Sequence, residues 1–363
     1  MKIIQIIYSL SPGGAERFVV DLSNELNKQG HDIWLYVLRD DNYDNYGFYK
    51  NDIDKRVNYV NLNLPIGLRL SNILSLYKVI KEQRPDVVHC HLNLINYIFP
   101  IIFFFPKIKF FHTIHNDAAK EVSNKIEHWL RRLFYSTTKV KAITISSETS
   151  KSFNLYYKTN NFIEIYNGIK KPSKTSEFDN VKAYINKIRL DSNFVFLHIG
   201  RFVPQKNQQL LINVFNRLHK ERQPVLLLII GAGFDSPAGI ELKNNSHENI
   251  YFLGEKHNVA DYYLNSDAFC LSSIHEGMPI TLIEALACGC IPICTPVGGI
   301  IDTIENGTTG FLSKSVTEED YYEVIISYLK NNNKVNRKDL IEIYSKKFSI
   351  ELCTKKHIEC YEK

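Results

Sequence analysis

The stretch HEGMPITLIEALACG, at 275–289, predicts a loop and a helix with two glutamates beside them. An apolar run at 268–274, AFCLSSI, precedes it and is interpreted as a strand that ends just before Glu276. Pro279 suits the first position of a helix, because its ring fixes φ and its missing N–H needs no partner there. Apolar residues then recur at helical spacing up to the final glycine, which is a common helix stop. We therefore expect Glu276 in a strand-end loop and Glu284 about a turn and a half into the helix.

The two carboxylates and the helix N-terminus define one predicted crevice. Free N–H groups and the helix dipole favour a phosphate at such an end, and carboxylates accept hydrogen bonds from sugar hydroxyls. A nucleotide sugar needs this combination, with its diphosphate at the helix tip, one acid for the ribose and another for the transferred sugar. A solvated glutamate pair on an ordinary αβ unit explains the stretch equally well, so the rest of the chain has to decide.

Length and composition favour a two-domain globular protein. The chain has 363 residues, of which 44% are hydrophobic and 23% are charged, and this is more than one core comfortably holds. A net charge of +5 is too small to indicate nucleic acid, but it is compatible with phosphate-bearing substrates or an anionic membrane surface. The seven cysteines show neither zinc nor disulfide spacing, so we expect reduced thiols in the core.

Neither export nor membrane insertion is predicted by the sequence. The N-terminal MKIIQIIYSL runs straight into a glycine turn and is interpreted as a first strand rather than a signal peptide. The longest apolar run, 98–105, contains a proline and is followed by another, far short of a membrane span. We therefore expect a cytoplasmic protein.

Strand and helix patterns alternate in both halves of the chain, which predicts parallel sheets with helices on both faces. The first domain is expected at 1–168, followed by a polar linker with Pro, Ser and Lys at 169–180. The second domain is expected at 181–345 with its first strand at 193–199, and a terminal helix within 346–363. Open α/β sheets bind ligands at the carboxyl ends of their strands, so the strand-end loops are the places to look.

Two strand-end loops carry candidate phosphate-binding groups. Gly13 and Gly14 follow the first strand and permit close backbone approach, although a plain tight turn explains them equally well. Arg201 and Lys206 follow Gly200 and suit a diphosphate, the first through its planar fork and the second as a point charge. Solvated surface charge is the alternative explanation for this pair.

Three further features are weaker. The run Gly-Ala-Gly that begins at Gly231 lacks the third glycine and the acid of a dinucleotide fingerprint, so NAD binding is rejected. Among the four histidines at 89, 91, 112 and 115, we select His115 for contact with a sugar hydroxyl because it lies closest to a loop. The Asp-Ile-Asp at 52–54 matches a metal-binding pattern, but its polar surroundings indicate surface.

Together these residues resemble the retaining GT-B glycosyltransferases of family 4. The resemblance covers nearly the whole chain, and its most specific part combines the two glutamates, which are separated by seven residues, with the Gly-Arg and Lys of the other loop. The matching segments are GGAE at 13–16, HTIHN at 112–116, SSETSKSF at 146–153, YNGI at 166–169, HIGRFVPQKN at 198–207, IIGAGF at 229–234, YFLG at 251–254, SSIHEGMPITLIEALACGCIPICTPVGGIIDTI at 272–304 and NGTTGFL at 306–312. It implies two Rossmann-like α/β/α domains facing across a cleft, with the C-terminal helix crossing back to the first domain.

The resemblance also implies roles for individual residues. Arg201 and Lys206 would hold the donor diphosphate and neutralise the leaving nucleotide, while Glu284 would bind the ribose. Glu276 would lie near the transferred sugar, and His115 would contact that sugar near the reacting carbon. The other residues implied at the donor are Gly13, Gly14, Gly200, Gly231, Gly277, Met278, Pro279 and Ile280.

The implied activity is that of a hexosyltransferase-type enzyme. It would transfer a sugar with retention from a nucleoside-diphosphate sugar, preferably a UDP-sugar, to a saccharide or lipid-linked saccharide in bacterial surface polysaccharide synthesis. No metal or other cofactor is expected, because Arg201, Lys206 and the helix dipole would take the place of a cation. A nucleotide-sugar epimerase and a non-catalytic nucleotide-sugar-binding protein are the alternatives. A basic amphipathic region at 125–141, including Arg131 and Arg132, would touch the inner membrane peripherally, unless it is an ordinary surface helix.

Overall fold

A computed structural model describes the chain except for positions 44, 123, 138, 190–193 and 332–333. The chain forms two compact units, one made of 1–170 together with 348–363 and the other of 171–347. Asn193, the first residue of the strand predicted at 193–199, lies outside the described residues, and that strand is described from Phe194 onward.

The described strands form two all-parallel sheets, one in each unit. They are β1 (Lys2–Ile7), β2 (Asp32–Val37), β3 (Asn58–Asn61), β4 (Val87–His91), β5 (Lys109–Ile114), β6 (Val140–Thr144), β7 (Phe162–Glu164), β8 (Phe194–Ile199), β9 (Val225–Ile230), β10 (Ile250–Phe252), β11 (Ala268–Leu271), β12 (Ile291–Cys294) and β13 (Phe311–Leu312). The sheet orders are β3-β2-β1-β4-β5-β6-β7 and β10-β9-β8-β11-β12-β13. In each sheet the order of the strands reverses once. In the first sheet β2 and β3 are added on one side of β1 and the later strands, starting with β4, on the other side; in the second sheet the same reversal falls between β8 and β11. Ligands of such sheets bind at the strand ends beside this reversal.

Helices connect the strands and cover the sheets, so central strands are apolar on both faces. All six residues of β9, VLLLII, are buried. The described helices are α1 (Gly14–Lys28), α2 (Leu70–Gln83), α3 (Ile95–Ile98), α4 (Lys125–Ser136), α5 (Ser147–Tyr157), α6 (Phe178–Ile188), α7 (Gln208–Lys220), α8 (Pro237–Asn244), α9 (Val259–Asn265), α10 (Ile280–Cys288), α11 (Ile300–Thr303), α12 (Glu318–Asn331), α13 (Arg337–Ile343) and α14 (Ile350–Glu362). The seven cysteines are all free thiols, and six of them are buried, which confirms the expectation of reduced core thiols.

The segment predicted as a linker at 169–180 is partly helical. α6 begins at Phe178, because Val181 and Ile185 lie one turn apart and are both buried in the core of the second unit. Just before the helix, Thr175 donates its hydroxyl to Asp261 at 2.5 Å and its backbone N–H to the same carboxylate at 3.0 Å. The buried apolar residues of α6 lie just beyond the predicted linker, so the polar composition of 169–180 did not indicate that the helix begins within it.

The last helix, α14, belongs to the first unit and packs against α1. The chain leaves and re-enters this unit at one place, where Ile169 accepts from the N–H of Ile350 at 3.0 Å. Gly168 is needed there, because a Cβ on it would lie 2.5 Å from the Cβ of Cys353. At the other end of α14, the hydroxyl of Tyr361 lies 2.7 Å from Nδ1 of His89 on β4. The final helix is therefore hydrogen-bonded into the central sheet of the first unit.

Candidate active site

In the second unit, the loops after β8 and β11 are hydrogen-bonded to each other. The N–H of Ile274 donates to the carbonyl of Gln205 at 2.9 Å, and the hydroxyl of Ser272 donates to the carbonyl of Lys206 at 2.9 Å. The strand predicted at 268–274 therefore ends early, at Leu271, because from Ser272 onward the chain bonds to the neighbouring loop instead of the sheet.

An ion pair joins the two loops. Nζ of Lys206 lies 2.7 Å from Oε1 of Glu276, and the two side chains are only 18% and 7% exposed. The hydroxyl of Ser273 donates to the same Oε1 at 2.6 Å. Oε2 of Glu276 accepts none of the hydrogen bonds found among the described residues, so it is available to a ligand hydroxyl. The sequence predicted Lys206 and Glu276 as neighbours at one site, but it did not predict that they bind each other.

Arg201 differs from Lys206 in that its side chain has no partner among the residues that the structure describes. Its side chain is exposed and makes no ion pair or side-chain hydrogen bond within the described parts of the chain. Its backbone is fixed, because the buried amide of Gln208 donates to the Arg201 carbonyl at 2.8 Å. Gln208 in turn contacts His198, whose pKa burial lowers to about 4, so that imidazole is neutral. Arg201 therefore offers an unpaired planar cation on an immobilised loop, the geometry that suits a diphosphate.

Two glycines of the second unit allow backbone segments to approach each other. Gly231 has φ +152°, and a Cβ on it would lie 2.1 Å from the carbonyl oxygen of Gly200. Gly298 has φ +53°, and a Cβ on it would lie 1.8 Å from the carbonyl oxygen of Glu276. The next N–H, of Gly299, donates to the carbonyl of Gly277 at 2.7 Å. Glycine is therefore needed at 231 because of the close contact with the backbone of Gly200, and not because of dinucleotide binding.

The helix after the Glu276 loop, α10, begins one residue later than expected. Pro279 precedes the helix with ψ 119° and caps it, and its carbonyl accepts the N–H of Leu282 at 3.1 Å. Met278 and Ile280 are buried, and the Met278 sulfur accepts a hydrogen bond from the hydroxyl of Thr303 at 3.4 Å. Residues 278–280 thus shape the loop and the first turn of α10 from inside the unit.

Glu284 is held separately from Glu276. It is half-buried on α10, and the phenol of Tyr263 on α9 lies 3.3 Å from its Oε2. Burial raises the pKa of Tyr263 well above its usual value, so the phenol stays protonated and remains a donor. The single O–H of Tyr263 is shared between the Glu284 carboxylate and the carbonyl of Thr281, which is the closer acceptor at 2.8 Å. Sequence reasoning missed Tyr263, because it is an ordinary apolar position of α9 whose contact with α10 arises only in three dimensions.

In the first unit, His115 follows β5 and is 7% exposed. Its Nε2 lies 3.2 Å from Nδ1 of His91, and Nε2 of His91 lies 2.8 Å from the amide oxygen of Gln5. An amide oxygen only accepts, so His91 donates from Nε2 and accepts at Nδ1 from His115. Burial lowers the pKa of His115 to about 3, so its ring is neutral and its Nδ1 is an acceptor that a sugar hydroxyl can use.

Helix α1 lies beside this histidine. It begins at Gly14 after an extended Gly13, and the ring of Phe18, one turn later, is 5.9 Å from the ring of His115. A Cβ on Gly13 would lie 2.2 Å from a carboxylate oxygen of Glu16. The structure therefore brings the N-terminus of α1 and His115 to the same edge of the first sheet.

The prediction that Arg131 belongs to a basic, membrane-facing amphipathic region at 125–141 is wrong for this residue. The side chain of Arg131 is completely buried and donates to Glu127 at 2.7 Å and to Asn96 at 3.1 Å. Arg132 is exposed, as expected. The two adjacent arginines face different sides of α4, one buried and one exposed, because consecutive helical positions lie about 100° apart. Thr138, within this segment, lies outside the described residues.

The acidic pair at 52–54 is engaged with cations of the protein. Asp52 pairs with Arg17 at 3.0 Å and Asp54 with Arg56 at 2.8 Å, both at least partly exposed, which confirms their surface position. Among the residues that the structure covers, no group of three or more His, Cys, Asp or Glu could hold a metal ion. None of the described helices has the length and hydropathy of a bilayer-crossing segment.

Known proteins match this chain along most of its length. Residues 12–171 match the family described as Glycosyltransferase Family 4, and residues 181–346 match Glycosyl transferases group 1. An uncharacterized glycosyltransferase of Haemophilus influenzae is 27% identical, with 85% of each chain covered. A Campylobacter jejuni transferase, named as a GalNAc-alpha-(1->4)-GalNAc-alpha-(1->3)-diNAcBac-PP-undecaprenol alpha-1,4-N-acetyl-D-galactosaminyltransferase, is 27% identical, with 79% of this chain and 77% of its own covered. The structure of HepE from Anabaena with UDP and glucose superposes with a TM-score of 0.83 at 17% identity, covering 100% of this chain and 99% of its own.

The chain therefore belongs to the group 1 glycosyltransferases and is a sugar-transferring enzyme. Its fold is GT-B, with two Rossmann-like parallel-sheet domains and a last helix that returns to the first of them. These findings confirm the predicted family, fold class and enzyme class. The transferase matches disfavour the epimerase and the non-catalytic binding protein.

Gly298→Ala tests how tightly the Glu276 turn is packed, and Gly307→Ala is its matched control. Both glycines have positive φ, but Gly307 has nothing within 4 Å of an added Cβ. In urea denaturation, the control should lower the free energy of unfolding by about 1–2 kcal/mol through backbone strain alone. Gly298→Ala should cost roughly 2 kcal/mol more, because its methyl group collides with backbone. Equal losses would show that the Glu276 carbonyl is free to move away.

Proposed function

We propose that this enzyme moves a sugar with retention from a nucleoside-diphosphate sugar, preferably a UDP-sugar, to a saccharide or lipid-linked saccharide acceptor. The pathway would be bacterial surface polysaccharide synthesis, such as capsule, O-antigen or lipopolysaccharide. The observation that carries the proposal is the unpaired Arg201 on the same loop as the Lys206–Glu276 ion pair. This loop lies at the reversal of strand order in the second sheet, where α/β proteins bind nucleotides.

The names of the relatives support the finer parts of the proposal. HepE was solved with UDP and glucose, which supports a uridine donor. The Campylobacter relative is named for an acceptor linked to undecaprenol through a diphosphate, which supports a lipid-linked saccharide. Both names describe those proteins. For this chain they indicate which ligands to test first.

In the proposed reaction, the cations act on the leaving group. Arg201 would bind the diphosphate through its fork, and Lys206, held by one carboxylate oxygen, keeps further N–H donors for phosphate oxygens. The bond between the sugar carbon and the phosphate oxygen breaks as the bond to the acceptor oxygen forms on the same face. The acceptor proton passes to the departing phosphate, so no protein nucleophile takes part. Positive charge near the phosphates stabilises the negative charge that develops there.

The remaining side chains would hold the donor in place. Glu284, oriented by Tyr263, would accept from the ribose hydroxyls. Oε2 of Glu276 would accept from a hydroxyl of the transferred sugar, and Nδ1 of His115 would accept from another. Gly13, Gly14, Gly200 and Gly277 would leave room for the ligand beside the backbone, whereas the space beside Gly231 is filled by the backbone of Gly200. We propose that the reaction needs no metal, because Arg201 and Lys206 already supply two positive charges.

Arg201→Ala should weaken UDP binding at least tenfold, because hydrogen bonds to a charged group contribute about 1.5–3 kcal/mol. Uridine, which lacks phosphate, should bind both proteins alike. Isothermal titration with UDP, GDP and uridine, in EDTA and in Mg²⁺, measures these affinities. Arg222→Ala, which removes another exposed arginine of the same unit, is the control and should bind UDP normally.

Two results would contradict this assignment. Equal weakening of uridine and UDP would show that Arg201 does not bind phosphate. Tight UDP binding only with Mg²⁺ would show that a metal, rather than the protein's own cations, neutralises the diphosphate. Tighter binding of GDP than of UDP would instead correct the base while leaving the diphosphate site intact.

We further propose that the enzyme acts at the cytoplasmic face of the inner membrane through an apolar surface of the first unit. This surface combines the start of α2, the segment at 103–104 and the outer face of α4. Its members are Ile66, Leu68, Leu70, Leu74, Phe103, Phe104, Ile126, Trp129, Leu130 and Leu133, each at least 39% exposed. Its parts are continuous, since Phe104 contacts Tyr77 of α2 and Phe103 contacts Phe134 of α4. Large exposed apolar surfaces mark interaction sites.

The charge around this surface favours an anionic bilayer as its occupant. The exposed cations Arg69, Lys107, Lys125 and Arg132 lie on the segments that carry the surface. None of these four cations forms an ion pair with another described residue. Apolar side chains ringed by free cations are typical of interfacial helices that bind anionic lipid. The enzyme would then meet a lipid-linked acceptor at the surface of the membrane that contains it.

Replacing Trp129 and Leu133 with alanine should reduce binding to phosphatidylglycerol–phosphatidylethanolamine vesicles at least tenfold. Each large apolar side chain contributes about 1.5–3 kcal/mol when fully buried. Vesicle co-sedimentation measures the change, and added salt should weaken binding of both proteins. Leu155→Ala is the matched control, because Leu155 is 76% exposed on α5, outside the apolar surface. Equal vesicle binding by all three proteins would contradict a membrane role for this surface.

A further inference from the structure

Glu121 is a buried carboxylate in the first unit to which neither the sequence nor the proposed reaction assigns a role. It is 7% exposed and lies shortly after the loop that follows β5. Its Oε1 accepts from the backbone N–H of His115 at 3.0 Å and from that of Asn116 at 3.1 Å. One carboxylate oxygen therefore holds the first two residues past the strand, including the histidine expected to meet the sugar.

The position of Glu121 is set by Arg131 on the inner face of α4. Nη1 of Arg131 lies 3.8 Å from Oε2 of Glu121, and the arginine side chain is completely buried. The other donors of this guanidinium are bound to Glu127 and to Asn93 and Asn96 at 2.7–3.1 Å. Arg131 is thus fixed on α4 by three other residues and presents one N–H toward Glu121.

The contact between these two groups is incomplete as a structural ion pair. Among the described residues, neither Oε2 of Glu121 nor Nη1 of Arg131 has a hydrogen-bond partner, although both atoms are buried. A separation of 3.8 Å permits charge attraction but is too long for a hydrogen bond. Buried ion pairs contribute little to stability unless their remaining atoms are satisfied, and apolar replacements often serve as well. Stability alone therefore does not account for a charge here.

We propose that Glu121 is a positioning residue for His115 and that Arg131, on the inner face of α4, holds the Glu121 carboxylate by charge attraction. By binding two successive N–H groups, Glu121 determines where the loop leaves β5 and hence where Nδ1 of His115 meets a substrate hydroxyl. A charged acceptor holds N–H donors more strongly than a neutral one. This inference rests on the proposed role of His115, and it adds a residue that does not itself touch the substrate.

The environment of Glu121 makes its charge sensitive to pH. Burial raises the pKa of Glu121 to about 7, while Arg131 and the two N–H groups oppose the rise and Asp117 adds to it. Tyr135 of α4 and Tyr157 of α5 also face the carboxylate. Below pH 7 the carboxyl is protonated and its hydrogen bonds to the loop weaken. Activity that depends on these hydrogen bonds should therefore fall on the acid side of neutrality.

Glu121→Gln keeps an oxygen acceptor but removes the charge, so it tests positioning without removing the side chain. UDP release from UDP-glucose and UDP-N-acetylglucosamine is the activity measured. We expect turnover to fall about tenfold at pH 8, while the UDP dissociation constant stays unchanged because UDP binds in the second unit. The decline of turnover below pH 7 should be absent from the variant. The amide resonances of His115 and Asn116 should shift in its NMR spectrum.

Two further variants separate positioning from general structural loss. Glu82→Gln removes the charge of an exposed carboxylate on α2 of the same unit, outside the Arg131 cluster and the His115 loop, so its turnover should stay within about twofold of the unaltered protein. The His115→Ala variant and the His115→Ala/Glu121→Gln double variant should have about the same turnover, because Glu121 acts through His115 and its change has no further effect once the imidazole is gone. Independent, additive losses would overturn the inference.

Failure of the inference differs from failure of the proposed function. If the unaltered protein binds neither UDP nor GDP, the proposed function is wrong. If UDP binds normally but Glu121→Gln leaves turnover, its pH profile and the two amide resonances unchanged, Glu121 does not position His115. If the amides shift while His115→Ala has no effect on turnover, the loop is held as described but His115 has no role, which also overturns the inference.

Discussion

The ion pair between Lys206 and Glu276 is the contact on which the candidate donor site depends. It joins the loops after β8 and β11, with 2.7 Å between Nζ and Oε1 and little exposure of either side chain. Removing one partner of a buried pair leaves an uncompensated charge that costs about 3–5 kcal/mol. Gly298 packs against the backbone of Glu276, because only a residue without a Cβ fits beside the Glu276 carbonyl. Arg201, on the same loop, is left unpaired for a ligand.

Charge is used differently in the two units. The second unit presents cations, which suit a diphosphate, whereas the candidate group of the first unit is a neutral histidine. Burial lowers the pKa of His115 to about 3, and the bonds to His91 and Gln5 fix which nitrogen carries its proton. In the proposed reaction, a neutral acceptor next to the sugar does not repel positive charge developing at its reacting carbon. Glu121 would then keep this acceptor in place through the backbone.

The sequence predicted most of the fold, because apolar periodicity directly encodes which faces of strands and helices are buried. It also predicted that Lys206 and Glu276 lie at strand ends of one domain. Contacts between distant segments were missed, including the phenol of Tyr263 on Glu284 and the carboxylate of Glu121 on the loop after β5. Arg131 was placed on the surface, since a basic residue in an amphipathic helix is usually solvated and only tertiary structure shows its buried partners.

A double-mutant cycle on UDP binding tests most directly whether the ion pair shapes the donor site. Dissociation constants would be measured for the unaltered protein, Lys206→Met, Glu276→Gln and the double variant. UDP has no transferred sugar for Glu276 to touch, so an effect of Glu276→Gln on its affinity passes through the partners of the carboxylate, Lys206 and Ser273, and the cycle isolates the part that passes through Lys206. We predict that both single changes weaken UDP binding and that the double change is less than additive, with a coupling of at least about 1 kcal/mol. Additive effects, or normal UDP binding by Glu276→Gln, would contradict the account.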